Sequence, residues 1–179
     1  MWNGAYVEKI KSAITLVCDA GPAIHLDELE CLNLIKDFKE VLFPNTVWEE
    51  INRHRPSALK NADLPFVQLP GKTPYSEPLL TLCKIFSLDA GEIEALALME
   101  QRPQAMFLTD DAAARLVAIQ MGFNVHGTIG ILVRSIRQGQ KSPEEVLDIL
   151  KNIPFKTSLY IRHSLLQEIQ LKIKSEFNL

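Results

Sequence analysis

The chain of 179 residues is 47% apolar with a formal charge of −3, enough for one well-cored domain and too apolar for a disordered chain. No excess of positive charge argues for a nucleic-acid partner, although a local basic patch stays open. Cys18, Cys31 and Cys83 lack metal-ligand spacing and read as reduced thiols of a cytoplasmic protein; no apolar run approaches the ~20 residues that span a bilayer, and Glu8, Lys9 and Lys11 interrupt any signal-peptide core before Ile14.

Ile14 to Cys18 is a short apolar run that stops at Asp19-Ala20-Gly21-Pro22, the pattern of a buried parallel strand. Pro22 suits a first helical turn, and apolar residues continue to about Phe38 with a break near Asp27 to Glu30. Glu40 to Phe43 gives a second strand closed by Pro44, and Asn45 caps a helix from Thr46 to about Arg53 that carries Glu49 and Glu50. Pro65 to Pro70 reads as an edge strand fenced by prolines. Helices follow from Ser76 to Phe86 and, opened by Asp89-Ala90-Gly91-Glu92, from Ile93 to Gln101.

The strand from Met106 ends at Thr109-Asp110-Asp111 and passes into a helix to Met121. Phe123 to His126 is a further strand, and Gly127 to about Gln138 a further helix. Beyond Gly139 the spacing predicts two helices, Pro143 to Lys151 and Ser158 to about Ser175, separated by Asn152 to Phe155. Repeated β-α units predict a three-layer α/β domain over residues 1–140, with a mostly parallel central sheet flanked by helices. Residues 141–179 form a C-terminal helical extension packed on it.

Four acidic positions recur at corresponding places: Asp19, Glu50, Glu92, and Asp110 or Asp111. A parallel sheet brings the carboxyl ends of its strands to one rim, where ligand sites form. Carboxylates crowded there repel one another and persist when a cation neutralises them. Hard divalent ions, Mg²⁺ or Mn²⁺, fit oxygen ligands, and such ions activate water and stabilise the leaving oxygen of a phosphodiester. Each residue also has an ordinary reading. Asp19 could be a turn residue, Asp89 and Glu92 a reciprocal capping box, and Thr109 or Asp110 a helix cap. Glu49 and Glu50, adjacent on a helix, cannot both face one site. The four histidines are scattered, and Arg115 is placed either to contact phosphate or to form a surface ion pair.

The segments Val17 to Ile24, Val47 to Ile51, Leu88 to Leu98, Leu108 to Asp111 with Arg115, and His126 to Leu132 resemble the PIN-domain family. The resemblance covers about the whole chain. It is close to the VapC-like toxins, and in particular to a prokaryotic PIN subgroup described only as nucleic-acid-binding. Residue by residue, Asp19 matches the first acid, Glu50 the second, Glu92 the third and the Asp110-Asp111 pair the fourth; Thr109-x-Asp111 fits one family spacing and the Asp-Asp pair the other. The resemblance implies a metal-dependent endoribonuclease in the cytoplasm, with Asp19, Glu92, Asp110 and Asp111 holding Mg²⁺ or Mn²⁺, Glu50 joining them in catalysis, and Thr109 and Arg115 contacting RNA. It implies also a small antitoxin and a homodimer as partners. Gly21 departs from the family, where a Ser or Thr hydroxyl lies near the metal and scissile phosphate. The alternative is a catalytically degenerate module that binds RNA or protein.

Overall fold

The computed structural model describes residues 14–179; the charged stretch from Glu8 to Lys11 lies outside them. Among the described residues, five strands form one sheet. They are β1 (Thr15–Cys18), β2 (Glu40–Pro44), β3 (Phe66–Leu69), β4 (Met106–Leu108) and β5 (Asn124–His126), in the order β3-β2-β1-β4-β5. All four pairings are parallel. The helices are α1 (Ala20–Glu28), α2 (Asn45–His54), α3 (Glu77–Ile85), α4 (Ala90–Gln101), α5 (Ala112–Gln120), α6 (Thr128–Arg137), α7 (Pro143–Lys156) and α8 (His163–Phe177). This is the three-layer α/β architecture expected from the alternation of β and α segments.

Parallel strands are buried on both faces by the helices that connect them, and the central strands have the composition for it. Leu16, Val17, Cys18, Phe107 and Leu108 are fully buried. Leu16 and Cys18 face one apolar cluster, shared with α1, α6, α7 and α8, while Val17 faces a second formed with α3, α4 and α5. The alternation follows the period of two along a strand. All three cysteines are buried and free. The break expected near Asp27 to Glu30 is present: α1 ends at Glu28, Glu30 takes a left-handed conformation, and the chain resumes as a 3₁₀ turn at Leu32–Ile35.

The C-terminal region departs from its expected form. The predicted break at Asn152 to Phe155 is absent, and α7 runs through Pro154 to Lys156. Val146, Leu147, Leu150 and Ile153 are all buried, so the apolar stripe continues past the expected end. Fully burying each such side chain is worth about 1.5–3 kcal/mol, and together they outweigh the one helical hydrogen bond that Pro154, exposed near the last turn, cannot donate. The final helix begins at His163 rather than Ser158. Residues 157–162 lie outside any helix or strand, with a bend at Ser158, and side chains satisfy their first backbone donors. The Thr157 hydroxyl donates to the Ile153 carbonyl at 2.9 Å and accepts from the Leu159 N–H at 3.1 Å, and the Ser158 N–H donates to Glu28 at 3.0 Å.

From α8, Leu166 and Ile173 enter the same apolar cluster as β1 and α1. A chain ending at residue 157 is expected to melt well below the full chain and to bind a hydrophobic dye, since it uncovers the residues these two bury. Equal melting temperatures for the two chains would show that the tail adds nothing to the core.

Candidate functional site

The strand order reverses direction between β1 and β4. From β1 the chain builds outward through β2 and β3, then returns to the other side of β1 for β4 and β5. At such a switch point a crevice opens beyond the carboxyl ends of the strands. The register pairs Cys18 with Leu108, so the residues that leave the two strands, Asp19 and Thr109, emerge side by side. The Asp19 N–H donates to the Leu108 carbonyl at 2.9 Å, and the Thr109 N–H to the His126 carbonyl at 2.9 Å.

Asp19 is 8% exposed. Its Oδ1 accepts from the Ala20 N–H at 2.8 Å, and its Oδ2 from the Thr109 hydroxyl at 2.9 Å. Asp19 is therefore the N-cap of α1 as well as an acid at the rim. Burial pushes its carboxyl up to about 6, against these two hydrogen bonds and with a further push from Asp89 and Glu50. Thr109 is fully buried, and this revises the expectation that it meets substrate. Its hydroxyl donates to Asp19 and accepts from the Asp111 N–H at 3.2 Å.

The two acids after Thr109 have separate places. Asp110 Oδ1 accepts from the Thr128 N–H at 2.8 Å, and Oδ2 accepts from the Thr128 hydroxyl at 2.6 Å and from His25 Nδ1 at 2.8 Å. Three donors thus converge on Asp110 and tie α1 and the start of α6 to the end of β4. The fit is close: a Cβ on Gly127 would come within 2.6 Å of Asp110 Oδ1 and 2.7 Å of Arg115 Nη2, so a larger residue there would displace one of these side chains. Asp111 is exposed and caps α5, its Oδ1 accepting from the Ala114 N–H at 2.8 Å.

The third contribution comes from α4, which leads down into β4 and so starts at the same rim. Asp89 and Glu92 form a reciprocal capping box there, Asp89 N–H to Glu92 and Glu92 N–H to Asp89, each at 2.9 Å. Capping does not remove Glu92 from the crevice. Burial pushes its carboxyl up to about 7, opposed by the Asp89 N–H and reinforced by Asp89, Asp111 and Asp19. On α2, Glu49 turns aside to accept from Asn45 at 2.7 Å, whereas Glu50 borders the crevice with its carboxyl raised by burial and by Asp89. Glu94 accepts from the Thr46 N–H at 3.3 Å.

One cleft of about 440 Å³ is lined by Asp19, Glu50, Asp89, Glu92, Asp110 and Asp111, together with Gly21, His25, Leu159 and Tyr160. The structure thus brings every acid of the sequence-derived set to one cleft, and adds two residues that the sequence reading left out. Asp89 had read as a capping partner only, though its place in a helix-opening box at the rim could have marked it. His25 carried no signal, because its partner Asp110 is 85 positions away. Arg115 lies beside the acidic cleft, donating through Nη2 to the Thr109 carbonyl at 3.0 Å, in a neighbouring cleft with His126 and Gly127.

Asp19, Glu92 and Asp111 are the residues that could hold a cation. Each keeps unused acceptor capacity, and the set is oxygen only, as a hard ion requires. Among the described residues no group of three or more His, Cys, Asp or Glu side chains is arranged to hold a metal ion as the side chains stand. A strongly hydrated ion that keeps most of its waters would need only one or two of these carboxylates. No helix among the described residues is long and apolar enough to cross a membrane.

A family model described as a PIN domain matches residues 15–175. No curated protein and no solved structure matches the chain.

The raised carboxyls set the pH dependence of the cation-free fold. Asp19 and Glu92 ordinarily ionise near 3.8 and 4.5, but in the folded protein near 6 and 7. The folded state binds more protons across that window, so the stability these two groups contribute is fully present below it and is lost as pH rises through about 4 to 7. Thermal melts in EDTA are expected to show this fall. In the double variant Asp19→Asn, Glu92→Gln it should be clearly shallower, and an undiminished slope would show that other groups set it.

Proposed function

Because the chain belongs to the PIN-domain family, whose fold is of the nuclease type, we propose that it is an endoribonuclease that hydrolyses RNA phosphodiester bonds with Mg²⁺ or Mn²⁺. The carrying observation is the crowding of Asp19, Glu50, Asp89, Glu92 and Asp111 on one cleft, with two carboxyls pushed to about 6 and about 7. Clustered charge of that kind is unfavourable unless a cation or a ligand gains from it. When bound, a divalent ion supplies a polarised water and neutralises the oxygen that leaves.

The chain's own residues divide the remaining work. Asp19, fixed in direction by the Thr109 hydroxyl and the Ala20 N–H, and Glu92, fixed by the Asp89 N–H, hold the cation together with the exposed Asp111. Glu50 makes no carboxylate hydrogen bond among the described residues, and its raised affinity for protons suits it to orient the attacking water and take up its proton. Asp110 is reserved for His25 and Thr128, and acts as a positioning residue for the rim. In its fuller form the reading makes the protein a toxin restrained by a small antitoxin and paired as a homodimer. The exposed Leu116 and Ile119 of α5 supply an apolar face for such contacts.

The degenerate-module reading draws on Gly21, where the family carries a hydroxyl. The local geometry leaves room for one: a Cβ at Gly21 meets only the His25 ring, at 3.5 Å and 3.9 Å. Gly21→Ser is therefore expected to fold, to gain about 0.5 kcal/mol from replacing a helical glycine, and to raise the cleavage rate severalfold. A rate unchanged by this substitution, in a variant at least as stable, would remove the hydroxyl from the account.

The deciding experiment is incubation of a mixed RNA pool with purified protein in Mn²⁺, Mg²⁺ or EDTA. Cutting is expected with either metal and not in EDTA. It should fall by more than about a hundredfold in Asp19→Asn, Asp111→Asn and Glu92→Gln variants that retain the wild-type circular dichroism. A folded wild-type protein that cuts no RNA in either metal would transfer the conclusion to the degenerate module.

A further inference from the structure

Between Asp148 and Glu168 the chain contains no acidic residue, and it carries Lys151, Lys156, Arg162 and His163 interleaved with Phe155 and Tyr160. In a molecule of net charge −3 this is a local reversal of sign. Cations alternating with aromatic rings are the composition of a surface that follows a phosphate backbone and stacks on bases.

The conformation of the segment gives that composition a direction. Along residues 157–162 Thr157, Leu159 and Ile161 are partly buried, while Ser158, Tyr160 and Arg162 are exposed. This alternation turns Tyr160 away from the core and leaves it 86% exposed. The backbone that carries it is held just before it by Thr157 to α7 and by Ser158 to Glu28 of α1, and its neighbours Leu159 and Ile161 pack against the core cluster. A segment held in this way presents its ring at a defined place, with little ordering left to do when a ligand arrives.

That place is the border between two clefts. Tyr160 lines the acidic cleft with Asp19, Glu50, Glu92 and Asp111. It also lines the neighbouring cleft of about 320 Å³ that holds Arg115, His126 and Gly127. Arg115 uses Nη2 on the Thr109 carbonyl, which leaves its other N–H donors for a phosphate. A polynucleotide whose scissile phosphate sits among the carboxylates would pass the tyrosine ring before reaching the guanidinium.

We propose that Tyr160 is a stacking platform for one unpaired base of single-stranded RNA, between the acidic cleft and a phosphate site at Arg115. Its orientation relative to the scissile bond rests on the ribonuclease reading, whereas stacking itself does not. A flat ring needs a base free of its pairing partner, so the platform selects single strands over duplex.

The test titrates an end-labelled, short single-stranded RNA of mixed sequence into the full chain in EDTA, by fluorescence anisotropy, and follows its cleavage in Mn²⁺. The proteins compared are wild type, Tyr160→Ala, Tyr160→Leu and Tyr160→Trp. Since the ring is exposed, all four should melt together. Alanine and leucine are each expected to raise Kd about tenfold, with KM rising alongside and kcat little changed, and tryptophan to retain wild-type binding. Retention by leucine would overturn the proposal in favour of an apolar contact with a protein partner. Unchanged Kd and KM in Tyr160→Ala would also overturn it, as would a wild-type protein that neither binds nor cuts the RNA. Binding that depends on the ring in a protein that does not cut would sink the ribonuclease reading and leave the platform standing. Cutting that is indifferent to the ring would do the reverse.

Discussion

A buried hydroxyl joins the two central strands where both run out into acid. Thr109, fully buried at the end of β4, donates to the Asp19 carboxylate at the end of β1 and accepts from the Asp111 N–H. A carboxylate with 8% of its surface exposed is costly unless donors meet it, and Thr109 is one of two that do. The same contact sets the distance between the first acid and the fourth. Parallel pairing of Cys18 with Leu108 makes it reachable. Antiparallel strands would send their ends to opposite rims, and no spacing along the chain would then gather these acids.

Asp110 and Asp111 show how one strand end serves two ends. Successive side chains of an extended segment point apart, so adjacent carboxylates cannot share a task. Asp110 turns toward α1 and α6 and is filled by His25 and by both donors of Thr128. Asp111 turns to the open side, where it caps α5 and borders the cleft. The first acts on the site by holding its walls together. The second keeps acceptor capacity for a ligand. Sequence spacing alone left these two roles undivided between the two positions.

The fold was largely legible because burial leaves a periodic trace: the apolar runs at Ile14, Val41 and Met106, each ending at an acid or a proline, mark the parallel strands directly. The membership of the rim was legible for a related reason, since acids that follow buried strands have few other places to go. What escaped was set by contacts remote in sequence. His25 meets Asp110 across 85 positions, and no local pattern announces it. Pro154 suggested a break where the buried side of α7 carried the helix onward. The helix expected from Ser158 begins at His163; before it, Leu159 and Ile161 pack against the core cluster, and Glu28 of α1 accepts from the Ser158 N–H. The apolar spacing favoured the helix, and the packing of Leu159 and Ile161 on a distant part of the chain was not visible in it.

That displaced helix start binds stability and site together. Had α8 begun at Ser158, Leu159 and Tyr160 would have followed helical spacing, and the ring would not stand at the seam between the two clefts. The stretch instead spends its alternate residues on opposite needs: Leu159 and Ile161 pack against the core cluster, and Tyr160 projects from it. Beyond it, α8 returns Leu166 and Ile173 to the apolar layer beneath β1. The packing of Leu159 and Ile161 on either side of Tyr160 holds the exposed ring beside Asp19 and Asp111. The C-terminal segment is therefore part of the wall of the cleft as well as a cover for the core, and a substitution that loosens its packing should disturb ligand contacts before it unfolds the sheet.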